Sequence, residues 1–121
     1  MENRFLCRGK RLDNGEWVVG HYYEVMGKSY IFEPHFTSEN LTYEVDPSTI
    51  CQCTGYDEIY EKDIFQCDEE RYLIVWNDSS LSWEAQSVYS SESISLGEFS
   101  PTEIEVIGNE IDNQELLEVQ S

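Results

Sequence analysis

The amino-acid sequence predicts a mainly β protein with minor α content, built from antiparallel hairpins and ending in a short helix. Aromatic and β-branched residues gather in short runs, and Asn-Gly, Gly-Lys and Asn-Asp-Ser-Ser sequences separate them. One run, Tyr72 to Trp76, is continuously apolar, while others alternate apolar with polar.

Phe5 to Leu12 reads as a first strand, closed by the turn signal Asn14-Gly15. Glu16 to Met26 reads as a second, and Gly27-Lys28 turns it into Ser29 to Glu33, giving a hairpin. Leu41 to Val45 alternates until Asp46-Pro47 breaks it. Tyr72 to Trp76 has the pattern of a strand buried on both faces, which places Trp76 in the core. Asn77 to Ser80 then turns the chain into Leu81 to Ala85, where Leu81, Trp83 and Ala85 share one face. Ser100-Pro101-Thr102-Glu103 has the spacing of a capped single helical turn, with Ile104 to Val106 alternating after it. Asp112 as N-cap and Glu115 reaching back from the third position predict the closing helix.

A length of 121 residues suits one domain, 1–121, with one core. Tyr72 to Trp76 is far below the roughly 20 residues that span a bilayer, and no apolar signal region follows the basic N-terminal residues. A soluble protein of the cytoplasm is expected. There Cys7, Cys51, Cys53 and Cys67 are expected to be reduced thiols, since cytosolic reductants keep such pairs open.

Charge is the most unusual property. The chain carries 25 carboxylates against seven Lys and Arg, a net −18. Residues 1–28 have a net charge of +1, whereas residues 29–121 hold only Lys62 and Arg71 against 21 carboxylates, for −19. Direct nucleic-acid binding through a basic patch is not expected, because phosphate contacts need clustered cations. Binding to an anionic membrane surface fails for the same reason.

Several segments together resemble the YopX family. They are Phe5-Leu6-Cys7-Arg8-Gly9-Lys10 with Asn14 to Val18, Tyr43 to Ile50, Cys51-Gln52-Cys53-Thr54-Gly55, Ile59 to Ile64, Glu103 to Asn109 and Glu115-Leu116-Leu117. The likeness runs nearly end to end. These are small proteins of bacteriophages and integrated mobile elements. The resemblance implies a mostly β fold with a small, partly open barrel-like core, and it implies no established activity. Two departures stand out: only Tyr56, Asp57 and Glu58 lie where the family has a Gly-containing loop, and Lys62 stands where Gly is common.

Cys51-x-Cys53 puts two thiols on one face of an extended strand, and Cys67 with His21 or His35 could complete a tetrahedral zinc shell. Zinc sites more often start from Cys-x-x-Cys on a turn, and buried Cys is a common small hydrophobe, so packing thiols are the better reading. No cofactor and no metal are expected. A nucleophile needs a positioned base, and His21 lies inside a strand while His35 sits in a loop. Asp57-Glu58 and Asp68-Glu69-Glu70 cannot be singled out as catalytic pairs in so acidic a chain, and the latter reads as a solvated hairpin turn. No enzymatic activity is expected.

The acidic surplus has two readings. One is solubility, which Asp and Glu promote. The other is mimicry of nucleic acid: a globule of this length is roughly 35 Å across, and duplex DNA carries about 20 charges over that distance. Such a protein would occupy the basic groove of a host restriction or CRISPR-type nuclease, and Glu103, Glu105, Glu110, Asp112, Glu115 and Glu118 are the expected contact residues. The expected function is that of a phage or mobile-element accessory protein binding a basic nucleic-acid-handling protein of the bacterial host. The alternative is an assembly component that forms homo-oligomers through β-strand edges. For the thiols the expected outcome is zinc well below one per chain by elemental analysis, with an unchanged Tm in EDTA. Near-stoichiometric zinc with unfolding in EDTA would overturn the packing reading.

Overall fold

The computed structural model describes residues 6–33, 41–56 and 58–118. The chain divides into two compact units, Met1–Tyr60 and Glu61–Ser121, each built on one five-stranded antiparallel sheet.

In the first unit the order is β4-β3-β2-β1-β5, with β1 at Cys7–Lys10, β2 at Trp17–Val25, β3 at Lys28–Glu33, β4 at Leu41–Val45 and β5 at Cys51–Gln52. The long strand β2 serves two partners. Its residues Trp17 to Gly20 pair with β1, and its residues His21 to Val25 pair with β3. Gly20 stands at the change of partner. A Cβ there would collide with the backbone oxygen of Phe32, so only glycine permits the approach. The sheet curls far enough for the Leu12 N–H to donate to the Glu44 carbonyl at 3.0 Å and the Asp46 N–H to the Lys10 carbonyl at 2.9 Å. This junction is a single bridge, Arg11 to Val45. Neither sheet closes into a barrel, in keeping with a core expected to be partly open. The core of the unit holds Val18, Ile31 and Val45, with Cys7, Tyr43 and Ile50 packed against them.

In the second unit the order is β10-β6-β7-β8-β9, with β6 at Asp63–Cys67, β7 at Glu70–Asn77, β8 at Ser82–Ser87, β9 at Ser93–Ser95 and β10 at Glu105–Asn109. Period-two alternation puts Phe65, Tyr72, Ile74 and Ala85 on one face, and all four are buried. The mainly β class and the antiparallel pairing are as the sequence predicts. So is the turn at Pro101–Glu103, where the Ser100 side chain accepts from the Thr102 N–H.

Four local expectations are corrected. Trp76 pairs with Trp83 as the register requires, yet it lies beside the hairpin turn, past the reach of the neighbouring strands, and is 41% exposed. The run from Tyr72 is therefore not buried on both faces: Leu73 and Val75 are half-buried. Leu81 is not on the inward face with Trp83 and Ala85. It sits in the turn with φ of 53° and is exposed, because a two-stranded tip has nothing above it to bury an apolar side chain. The closing helix exists as one 3-10 turn, Gln114–Leu117, but its N-cap is Asn113 without a side-chain cap. Asp112 instead bonds with Asn109, donating its N–H to Asn109 Oδ1 at 2.8 Å and accepting from Asn109 Nδ2 at 3.3 Å.

These placements set an order of sensitivities. Ile74→Ala, at a fully buried site, is expected to cost about 2–5 kcal/mol, and Trp76→Ala about 1–2 kcal/mol. Gly20→Ala should cost about 2 kcal/mol or more, since backbone must move. Urea denaturation measures all three, and equal losses at Ile74 and Trp76 would contradict the exposure of the indole.

Candidate acidic binding surface

The β6–β7 hairpin register sets Cys67 opposite Glu70, so Asp68 and Glu69 form the turn, with Asp68 at φ of 57°. Gln66 Nε2 donates to the Asp68 carbonyl at 3.2 Å and holds that turn to its own strand. As expected, the turn is exposed. Farther along the chain, Leu96–Glu98 makes a single 3-10 turn and the Phe99 N–H returns to the Leu96 carbonyl at 3.2 Å. That step drives Phe99 against the sheet. Phe65, Tyr72 and Phe99 pack as a triad with ring centroids 5.2 to 5.3 Å apart, one pair stacked and two edge-to-face.

An open concavity of about 920 Å³ lies over this triad. Tyr72, Phe99, Ile94 and Cys67 line it, and Asp68, Glu69, Glu70, Glu98 and Glu103 add five carboxylates. Within it the Tyr72 hydroxyl donates to Glu70 Oε2 at 2.8 Å. Burial, followed by the bond and charge of Glu70, pushes the Tyr72 phenol up to about 12. Burial also raises the Cys67 thiol, with the charges of Asp68, Glu103 and Glu70 acting the same way. Cys67 is thus held as the neutral thiol, the opposite of what a nucleophilic thiolate requires.

Of the six carboxylates expected from sequence to make the contact, only Glu103 lines the concavity. Glu105 is exposed at the head of β10, opposite Gln66. Glu110 is half-buried just past the foot of that strand, where its N–H donates to the Lys62 carbonyl at 2.9 Å. Asp112 belongs to the Asn109 bonds described above, and Glu115 and Glu118 are exposed around the closing turn. The residues that sequence reasoning missed are Asp68, Glu69, Glu70 and Glu98. The hairpin turn itself was readable, but nothing in the spacing shows that a turn after residue 95 returns to meet it.

The thiols divide between the units. Cys51 and Cys53 are both buried in the first, as their alternate spacing on a strand implies, and Cys51 Sγ donates to the Thr49 carbonyl at 3.3 Å. Cys67 is half-buried in the second. His21 is exposed in β2, and His35 lies outside the described residues. Among the described residues no group of three His, Cys, Asp or Glu is placed to hold a metal ion, and no helix is long and apolar enough to cross a membrane.

Fold and surface together define an acidic, all-antiparallel β protein with a carboxylate-ringed, aromatic-floored concavity in its second unit. The chain belongs to the YopX family, whose model, described as YopX protein, matches residues 7–118. Membership fits a bacteriophage or mobile-element protein. No curated protein and no solved structure matches the chain. The family position of Lys62 also acquires a reason: its φ is 71°, the left-handed region that glycine enters most easily.

The shift at Tyr72 makes a signed prediction. Its folded pKa of about 12 lies above the ordinary 10, so between these values the unfolded chain loses its proton first and the folded state is penalised. Stability contributed by the protonated phenol is full below pH 10 and is lost as pH rises toward 12. Tyr72→Phe should flatten that decline and remove the latest phase of the tyrosinate absorbance titration. An unchanged titration would place the late phase on another tyrosine.

Proposed function

We propose that this protein is a non-enzymatic accessory protein of a bacteriophage or mobile element that binds a basic, nucleic-acid-handling protein of the bacterial host. It offers carboxylates where a nucleic acid would offer phosphates. A restriction or CRISPR-type nuclease in the host cytoplasm is the class of partner with a suitably basic channel.

The observation that carries this reading is where the charge sits. Glu61–Ser121 holds fifteen carboxylates against Lys62 and Arg71, a net −13, while residues 1–60 carry the remaining −5. A 61-residue globule is about 27 Å across, and duplex DNA presents about 16 phosphates over that length. The charge density of the second unit is of the same order. The concavity adds relief to it, since five carboxylates stand around apolar side chains and so combine long-range attraction with a shaped apolar contact.

A second reading has an observation of its own. The edge strands β4 and β10 carry exposed Leu41 and Val106, and strand edges with apolar side chains pair between chains unless blocked. Self-association of this kind would make the protein an assembly component. Sedimentation at increasing concentration separates the two, and Val106→Lys should leave a monomer unchanged but dissociate a dimer formed through β10.

For the first reading the test is a pull-down from host lysate at about 50 mM and about 500 mM salt, where the Debye length falls from about 14 Å to about 4 Å. The captured partner should be lost at high salt. Reversal of Asp68, Glu98 and Glu103 to Lys should weaken it most if the concavity is the contact, and reversal of Glu110, Glu115 and Glu118 if the closing segment is. Reversal of Glu16 and Glu24 should do least. In each case Tm should move little, because exposed charges contribute little to folding. A partner that ignores both salt and reversals would leave solubility as the role of the charge.

A further inference from the structure

The paired indoles Trp76 and Trp83 lie at the turn end of the β7–β8 hairpin, apart from the residues that line the concavity. They face each other across the strands with centroids 5.1 Å apart in an edge-to-face arrangement. Trp76 Nε1 donates to Asp78 Oδ1 at 2.9 Å, which fixes the ring and brings a carboxylate to its rim. The turn beneath is held by Asn77 Oδ1, which accepts from the N–H groups of Ser79 and Ser80. An exposed tryptophan on so well-fixed a tip is a large apolar surface left to solvent.

The first unit treats its aromatic rings differently. Arg8 lies 4.7 Å from the Trp17 centroid and 4.8 Å from that of Tyr60, Lys10 lies 5.4 Å from Trp17, and Arg11 lies 4.3 Å from Tyr43. There the chain covers the faces of Trp17, Tyr43 and Tyr60 with its own cations. In the second unit the sequence has no Lys or Arg after Arg71, and Arg71 Nη1 points to the Leu116 carbonyl at 3.4 Å. Among the described residues no cation lies over Trp76 or Trp83.

We infer that the Trp76–Trp83 pair with Asp78 is the docking point for an arginine side chain of a basic partner protein. A guanidinium stacks flat on an indole face and at the same time offers in-plane N–H donors to a carboxylate at the ring's edge. Asp78 Oδ1 accepts the indole N–H hydrogen bond, and Oδ2 remains to receive the guanidinium. Lysine has the charge but not the plane, so it satisfies only part of this arrangement. The inference rests on the reading of the second unit as a surface for basic proteins. It adds the residues that distinguish arginine from positive charge in general.

The test uses the full chain, with indole N–H groups observed by NMR, titrated with octa-arginine and octa-lysine peptides at about 50 mM salt. Octa-arginine should shift the Trp76 and Trp83 signals and leave that of Trp17, which already lies beneath Arg8. Trp76→Ala should weaken octa-arginine about five-fold, as expected for a partly exposed cation–π contact, and octa-lysine less than two-fold. Asp78→Asn should narrow the gap between the peptides, and circular dichroism checks that each variant keeps its fold. If octa-arginine binds Trp76→Ala as tightly as the parent, the docking point is wrong while the acidic-surface reading stands. If the parent binds neither peptide, both fail.

Discussion

Charge repulsion is the constraint to which the rest of this structure answers. With 25 carboxylates and seven cations, most acidic groups have no opposite charge available, and every compact arrangement brings like charges closer. The fold meets this locally. Asp46 is held below the usual carboxylate range by the Ser48 hydroxyl and backbone N–H rather than by a cation. Asp112 bonds with the Asn109 amide, and Glu84 accepts from Asn77 Nδ2. Neutral donors thus do much of what Lys and Arg do in a balanced protein.

Among the described residues, three of the chain's seven cations lie over aromatic rings. Arg8, Lys10 and Arg11 all come from β1 and the residue after it, and the strand's alternation sends Arg8 and Lys10 to one face, over Trp17. Arg11, one residue further, turns to Tyr43. The second unit, without such cations, packs aromatic against aromatic in Phe65, Tyr72 and Phe99. The first unit also stacks Tyr23 on Tyr30, with centroids 5.3 Å apart, so what the distribution of Lys and Arg adds there is a set of cations over Trp17, Tyr43 and Tyr60.

How much of this was legible follows from the same physics. Strong alternation bounded by turn residues placed β4 at Leu41 to Val45 and the β7–β8 hairpin with its Asn77 turn. β6 was not placed, because Asp63 opens it and a buried carboxylate gives no apolar signal. Periodicity places Trp76 with the core because it reports which face a residue shares, and says nothing of whether the sheet extends far enough to cover it. Spacing alone fits Asp112 as the cap, but Asn109 competes for the same side chain. The carboxylates expected to make the contact share a stretch of sequence without Lys or Arg, whereas the concavity collects its own from positions about thirty residues apart, through two turns whose meeting is tertiary.

That difference between sequence adjacency and spatial convergence bears on how an acidic surface becomes selective. At physiological salt the Debye length is about 8 Å, so dispersed carboxylates steer a basic partner only at close range and do so for any basic partner alike. Discrimination must come from contacts that depend on shape, and these require apolar surface set among the charges. The second unit supplies such surface in two places, the lining of the concavity and the Trp76–Trp83 tip. A partner that spans both must match their spacing as well as their charge. A chain with the same −13 and no exposed ring would be soluble and attractive to every basic protein in the host, and selective for none.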